Sequence, residues 1–306
     1  MRIFLLPVLV LILAFASAAR ADRLEVPHAL GTAVLEGVPE RIVVLDLAYA
    51  EALAAVGVSP VGVADLAGYR QWVGVGAERL AGAADVGTRQ EPSLEAIAAL
   101  RPDLILGPAF RHAAIHDQLS AIAPTVLFEG FPADGQGQFE QTVEDFRAVA
   151  RMVGREEEGE RVLADMDAVL DRGRERLAQA GLAGAPVLVA QFLPGSPSPR
   201  VFTDGSLVDG VIDRLGLVNA WKGPAERFGF TTAGIESLAA IRDAHLLHIV
   251  QPGDDVFQRL GANPVWPRLD FVANDRVHAL PSDTWTFGGP LSVSAMAGRV
   301  ADALLP

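Results

Sequence analysis

The 306-residue chain contains no cysteine. That absence excludes disulfide bonds, a thiol nucleophile and a lipid-modified cysteine anchor, so the fold has to be held by its apolar core. Equally missing are the short signatures of nucleophilic, phosphate and metalloprotease chemistry: there is no G-x-S-x-G elbow, no G-x-x-x-x-G-K-[ST] loop, no Rossmann glycine fingerprint and no H-E-x-x-H. Positive charge is in deficit, with 25 Lys and Arg against 38 Asp and Glu and a formal net charge of −13. Such a balance argues against nucleic acid and anionic membrane surfaces as partners. It also disfavours a strongly anionic ligand, unless local arginines reverse the field. Tyrosine and tryptophan are scarce, at 2 and 4 residues, which makes their positions informative.

Long apolar runs are absent too, apart from one at the start. Residues 3–15 are apolar except for Pro7, follow Arg2, and lead to Ala19-Arg20-Ala21. This is the pattern of a cleavable secretory leader, with the cut expected after Ala21. The run is too short to span a bilayer. The mature chain, which loses Arg2 and Arg20 with the leader, is expected as a monomer in a bacterial periplasm, without membrane insertion.

What the chain does contain is a segment used twice. Ser93-Leu94-Glu95-Ala96-Ile97-Ala98-Ala99-Leu100-Arg101 returns as Gly234-Ile235-Glu236-Ser237-Leu238-Ala239-Ala240-Ile241-Arg242, and each copy runs into an apolar stretch at Leu104 or Leu246. Paired helix-to-strand units predict two lobes of related α/β architecture, with a cleft between them as the natural ligand site.

Apolar runs and helical spacings predict strands at 41–46, 60–63, 104–106 and 125–128, alternating with helices at 48–56, 93–100 and 112–122. Strands separated by helices run mostly parallel. From Phe139 to about Ala180 strand signals vanish and apolar residues fall at helical spacing, interrupted at Gly154. After that come strands at 187–191, 201–202, 246–249 and 276–278, with helices at 206–215, 263–269 and 291–305. The expected architecture is therefore two doubly wound α/β lobes, residues 22–138 and 182–306, joined by a long helical segment at 139–181 behind a leader at 1–21.

Aromatic and arginine residues gather in loops at predicted strand ends, where ligands of open α/β sheets bind. Tyr69, Trp72, Arg89, Phe110 and Arg111 lie in the first half; Trp221, Arg227, Phe228, Phe230, Trp285 and Phe287 lie in the second. Each ring alone serves equally well as a plug sealing its own lobe. The set favours a pocket with apolar walls and guanidinium donors suited to several ligand oxygens. His112 and His116, spaced i, i+4, offer a different reading, a metal site on one helix face completed by His245, His248 or His278.

At this point the chain resembles the periplasmic iron-siderophore binding proteins of the ferric hydroxamate type. The matching residues are Arg41-Ile42-Val43, residues 57–65, Tyr69-Arg70-Gln71-Trp72, residues 85–95, Ile122-Ala123-Pro124, Asn219-Ala220-Trp221 and residues 285–292. The resemblance implies a non-enzymatic binding protein, without a cofactor or protein-bound metal, that hands a ferric siderophore to an inner-membrane ABC permease. It implies that Arg89 holds the chelating oxygens. It also implies that Trp72, Phe228, Trp285 and Phe287 form walls, and that Glu95 and Glu236 dock on the permease. Tyr69, Phe110 and Arg111 complete the expected site. Phe110-Arg111 replaces a tyrosine of the family pattern, and the added guanidinium favours a carboxylate-bearing chelate. A haem or cobalamin carrier of the same fold is the alternative cargo reading, and solvated helix carboxylates are the alternative for the two glutamates.

Overall fold

The computed structural model describes residues 23–305; the expected leader and its expected cleavage point lie outside them. An antiparallel hairpin, β1 (Arg23–His28) and β2 (Gly31–Glu36), opens the described chain. It was not anticipated from sequence, because its inward residues Val26, Ala33 and Leu35 form too short an alternation to stand out.

The first sheet takes β3 (Ile42–Val44), β4 (Gly62–Val63), β5 (Ala84–Asp85), β6 (Leu104–Pro108) and β7 (Thr125–Phe128) in the order β5-β4-β3-β6-β7. All its pairings are parallel. Successive side chains point to opposite faces, so Ile42, Val44, Leu104 and Leu106 enter one core while Val43, Leu45 and Ile105 enter another. Burial on both faces explains why these strands read as unbroken apolar runs.

The second sheet contains β8 (Pro186–Phe192), β9 (Arg200–Phe202), β10 (Val218–Asn219), β11 (Phe230–Thr232), β12 (His245–Val250) and β13 (Val277–Leu280). Its order is β11-β9-β8-β12-β13, with β10 beside β8. Here β9 and β11 run antiparallel to their neighbours. The link 193–199 is too short to hold a crossover helix, so β9 has to return beside β8 in the opposite sense.

The two copies of the repeated segment lead into β6 and β12, which hold matching places in the two sheets. Their conformations differ. Ser93 caps the α-helix Leu94–Ala99 by accepting from the Ala96 backbone at 3.2 Å. Gly234 has no hydroxyl at the corresponding place, and residues Ile235–Ala240 wind as a 3-10 turn.

Between the sheets the chain forms two successive helices, Gln138–Met152 and Glu156–Gln179. They break at Gly154, whose φ of +63° favours glycine. The second helix has 24 residues and is about 36 Å long. Gly173 lets it approach its neighbours closely, because a Cβ there would lie 2.6 Å from Leu215. Its partner along most of this length is the terminal helix Pro290–Leu304. One continuous core runs from Ile42 through Phe146, Leu163 and Leu170 to Val187 and Val300.

Two expected helices are interrupted. The segment expected as one helix over 112–122 divides into Ala109–His112, Ala113–Ile115 and His116–Ser120, since His112 is fully buried and the backbone opens to φ −112° at His112 and leaves helical values at Ile115. Residues 263–269 hold only the 3-10 turn Trp266–Arg268, because Pro264 and Pro267 interrupt the helical hydrogen bonding.

Candidate functional site

A cavity of about 440 Å³ lies where the two sheets and the helix Gln138–Met152 meet. The first lobe contributes residues that follow its strands: Asp46 after β3, Arg89 after β5, and Phe110 and Arg111 after β6. From the second lobe come Arg200 at the start of β9, Phe228, Phe230, and Trp285 and Phe287 beyond β13. The helix supplies Gln138, Thr142 and Asp145.

Arg89 stands on a tightly closed loop. Gly87 has a φ of +99°, and a Cβ there would meet the Glu91 carbonyl at 2.9 Å. Its amide donates to Asp85 Oδ1 at 2.9 Å, and Thr88 Oγ1 accepts from Glu91 N at 3.0 Å. The Arg89 guanidinium pairs with Asp65 Oδ2 at 2.9 Å and lies over the Trp285 ring at 5.9 Å, linking the two lobes. Below it, fully buried His112 donates from Nε2 to the Arg89 carbonyl at 2.9 Å. Burial lowers the His112 pKa and keeps the ring neutral. His112 is thus a positioning residue for Arg89.

Arg111 Nε lies 3.4 Å from Asp46 Oδ2, an ion pair without hydrogen-bond geometry, and its guanidinium covers the Phe110 ring at 4.8 Å. Arg200 covers Phe230 at 4.5 Å. Burial alone depresses its pKa, and among the described residues no carboxylate pairs with it. Sequence reasoning missed Arg200, which sits in a strand flanked by a Pro-rich loop. Only the opposed β9 of a mixed sheet turns it into the cavity.

The rings interlock across the gap. Phe110 lies 5.6 Å from Phe228, and Phe131, also missed from sequence, lies 5.3 Å from Phe110 and 5.4 Å from Phe228. On the other wall Phe287 lies 5.4 Å from Trp285 and 5.7 Å from Phe230. Phe228 is 40% exposed, an apolar ring at the rim, whereas Trp285 is 9% exposed with its indole N–H unpartnered.

Asp145 accepts from Gln141 at 2.8 Å. Burial, partly offset by that bond, pushes its pKa up to about 7. The neighbouring Tyr49 hydroxyl is pushed up by burial and by the Asp145 charge.

Seven of the sequence-selected residues therefore line one cavity: Arg89, Phe110, Arg111, Phe228, Phe230, Trp285 and Phe287. Tyr69 requires correction. It is fully buried and its hydroxyl donates to the Val75 carbonyl at 2.6 Å, so it is a structural residue with no face on the cavity. Trp72 is half-buried against the main core and is not among the residues that line the cavity, and Trp221 packs in the second lobe. Glu95 and Glu236 are both exposed.

The histidine reading is also corrected. His112 and His116 belong to different short helices. His112 is consumed by the Arg89 carbonyl, and His116 packs on His28 at 5.2 Å. No group of three or more His, Cys, Asp or Glu in a metal-holding arrangement occurs among the described residues.

Residues 42–284 match the family described as periplasmic binding protein. The chain belongs to the periplasmic binding protein family. Among relatives of this periplasmic binding protein, the Fe(3+) dicitrate-binding periplasmic protein FecB of Escherichia coli is 33% identical over 92% of this chain and 88% of its own. The iron(3+)-hydroxamate-binding protein FhuD of Escherichia coli is 30% identical, with 83% of each chain covered. A solved structure of FhuD from Vibrio cholerae with Fe3+-Desferal superposes with a TM-score of 0.79 at 27% identity, covering 87% of this chain and 97% of that one. The two-lobed, helix-bridged fold is that of these binding proteins, and these relatives are substrate-binding transport proteins, not enzymes.

Proposed function

We propose that this protein captures a ferric siderophore in the inter-lobe cavity and delivers it from the periplasm to an inner-membrane ABC importer. One observation carries the reading. Side chains from both lobes converge on a single space walled by aromatic rings and edged by guanidinium groups, which suits a bulky chelate whose metal is already fully coordinated. The names of its relatives span dicitrate and hydroxamate chelates. In this reading Glu95 and Glu236, exposed on the paired segments of the two lobes, dock on the permease. No helix among the described residues is long and apolar enough to cross a membrane, which suits a soluble shuttle after leader removal.

Trp285 lines the cavity, so ferric chelates should quench tryptophan fluorescence saturably. Arg89→Ala removes a charged donor, and affinity should fall by roughly ten- to hundredfold. Lack of saturable quenching by any ferric chelate would overturn the proposed function, whereas undiminished binding by the variant would remove Arg89 from the site.

A further inference from the structure

The arginines of the cavity are not equivalent. Arg89 is neutralised by Asp65 and Arg111 by Asp46. At the rim Arg227 lies 3.5 Å from Glu129. Arg200 has no such partner. Its guanidinium is drawn partly out of water onto the Phe230 face, the residue lines the cavity, and no carboxylate among the described residues forms an ion pair with it. A half-buried cation without a counter-charge is costly unless something entering the cavity supplies one.

The remaining lining groups do not supply it. Asp46 is engaged by Arg111, and Asp145 is bonded to Gln141 on the adjacent helix. Asp65 and Asp46 each offset one guanidinium, which leaves Arg200 as the cavity arginine without a paired carboxylate, inside a chain whose formal net charge is −13.

We infer that Arg200 selects the cargo: it receives a free carboxylate of the chelate, so the protein prefers carboxylate-bearing, net-negative ferric chelates over neutral ones. The inference rests on the proposed siderophore function and deepens it. A guanidinium matches a carboxylate with two parallel hydrogen bonds, which a neutral chelate without free carboxylates cannot offer. How the iron itself is held is a separate matter, since a chelate with hydroxamate iron ligands satisfies Arg200 equally if it also bears a free carboxylate.

The test compares ferric citrate, a neutral linear ferric trihydroxamate and a ferric tris-catecholate by fluorescence quenching, on the wild-type protein and on Arg200→Gln. The expected result is tightest binding of ferric citrate. Arg200→Gln should weaken that binding roughly ten- to hundredfold, leave any trihydroxamate binding unchanged and leave the melting temperature of the unliganded protein unchanged or raised. Equal or tighter wild-type binding of the trihydroxamate or the tris-catecholate would overturn the inference while leaving the carrier function standing. So would a variant that binds ferric citrate undiminished or weakens all chelates by one factor. Failure of every chelate to bind wild-type protein would instead remove the function on which the inference rests.

Discussion

Asp145 shows how one buried side chain couples the cavity to pH. Its native pKa of about 7 stands above the ordinary value of 3.8, so between these limits the folded protein keeps a proton that the unfolded chain has released. Its contribution to stability is fully present below the ordinary pKa and is lost as pH rises through the native one. Asp145→Asn removes that dependence. Urea unfolding should show the variant gaining on the wild type by on the order of 1 kcal/mol from pH 5 to pH 8, a figure lowered because solvent reaches the carboxyl through the cavity. Parallel pH profiles for the two proteins would contradict the assignment. The positioning pair His112 and Arg89 illustrates the opposite case, in which burial keeps a titratable ring uncharged and available as a fixed donor.

Among the elements, the terminal helix Pro290–Leu304 is held at its start by a residue far away in sequence. Glu51, fully buried on the helix Leu47–Ala55, accepts from Ser292 N at 2.8 Å and from Ser292 Oγ at 2.6 Å. The approach needs glycine at position 288, where a Cβ would lie 2.4 Å from Glu51 Oε2. Glu51→Ala leaves buried donors unpaired and should cost about 1–3 kcal/mol in chemical unfolding, with Glu51→Gln losing less. Equal stability of Glu51→Ala and wild type would show that the cap carries no weight.

Nothing in the local sequence reveals this contact, because a glutamate in an Ala/Leu-rich helix reads as a solvated face. The buried strands, the helical middle with its break at Gly154, and the pairing of the two lobes were all legible, since each rests on local periodicity or on the repeated segment. Arg89 and the rings at strand ends were legible for the same reason. Arg200, Phe131 and Asp145 were not, because their places depend on how β9, the segment after β7 and the helix Gln138–Met152 meet in space. Tyr69 misled the reading since a loop aromatic gives no sign of whether it turns toward a ligand or into its own lobe.

For the molecule as a whole, the largest core is shared by both sheets from Ile42 to Val300, with a smaller separate cluster on the far face of each sheet. Calorimetry should therefore record one unfolding transition, and two resolved transitions would show that the lobes melt independently. The distribution of charge has a further consequence. A negatively charged exterior opposes the approach of an anion at long range, whereas the guanidinium-lined hollow holds it once inside. Capture and retention thus answer oppositely to dissolved salt: ions hasten the encounter by masking the outer repulsion and shorten residence by masking the inner attraction. The most effective scavenging falls at an intermediate salinity, set by the balance of the two.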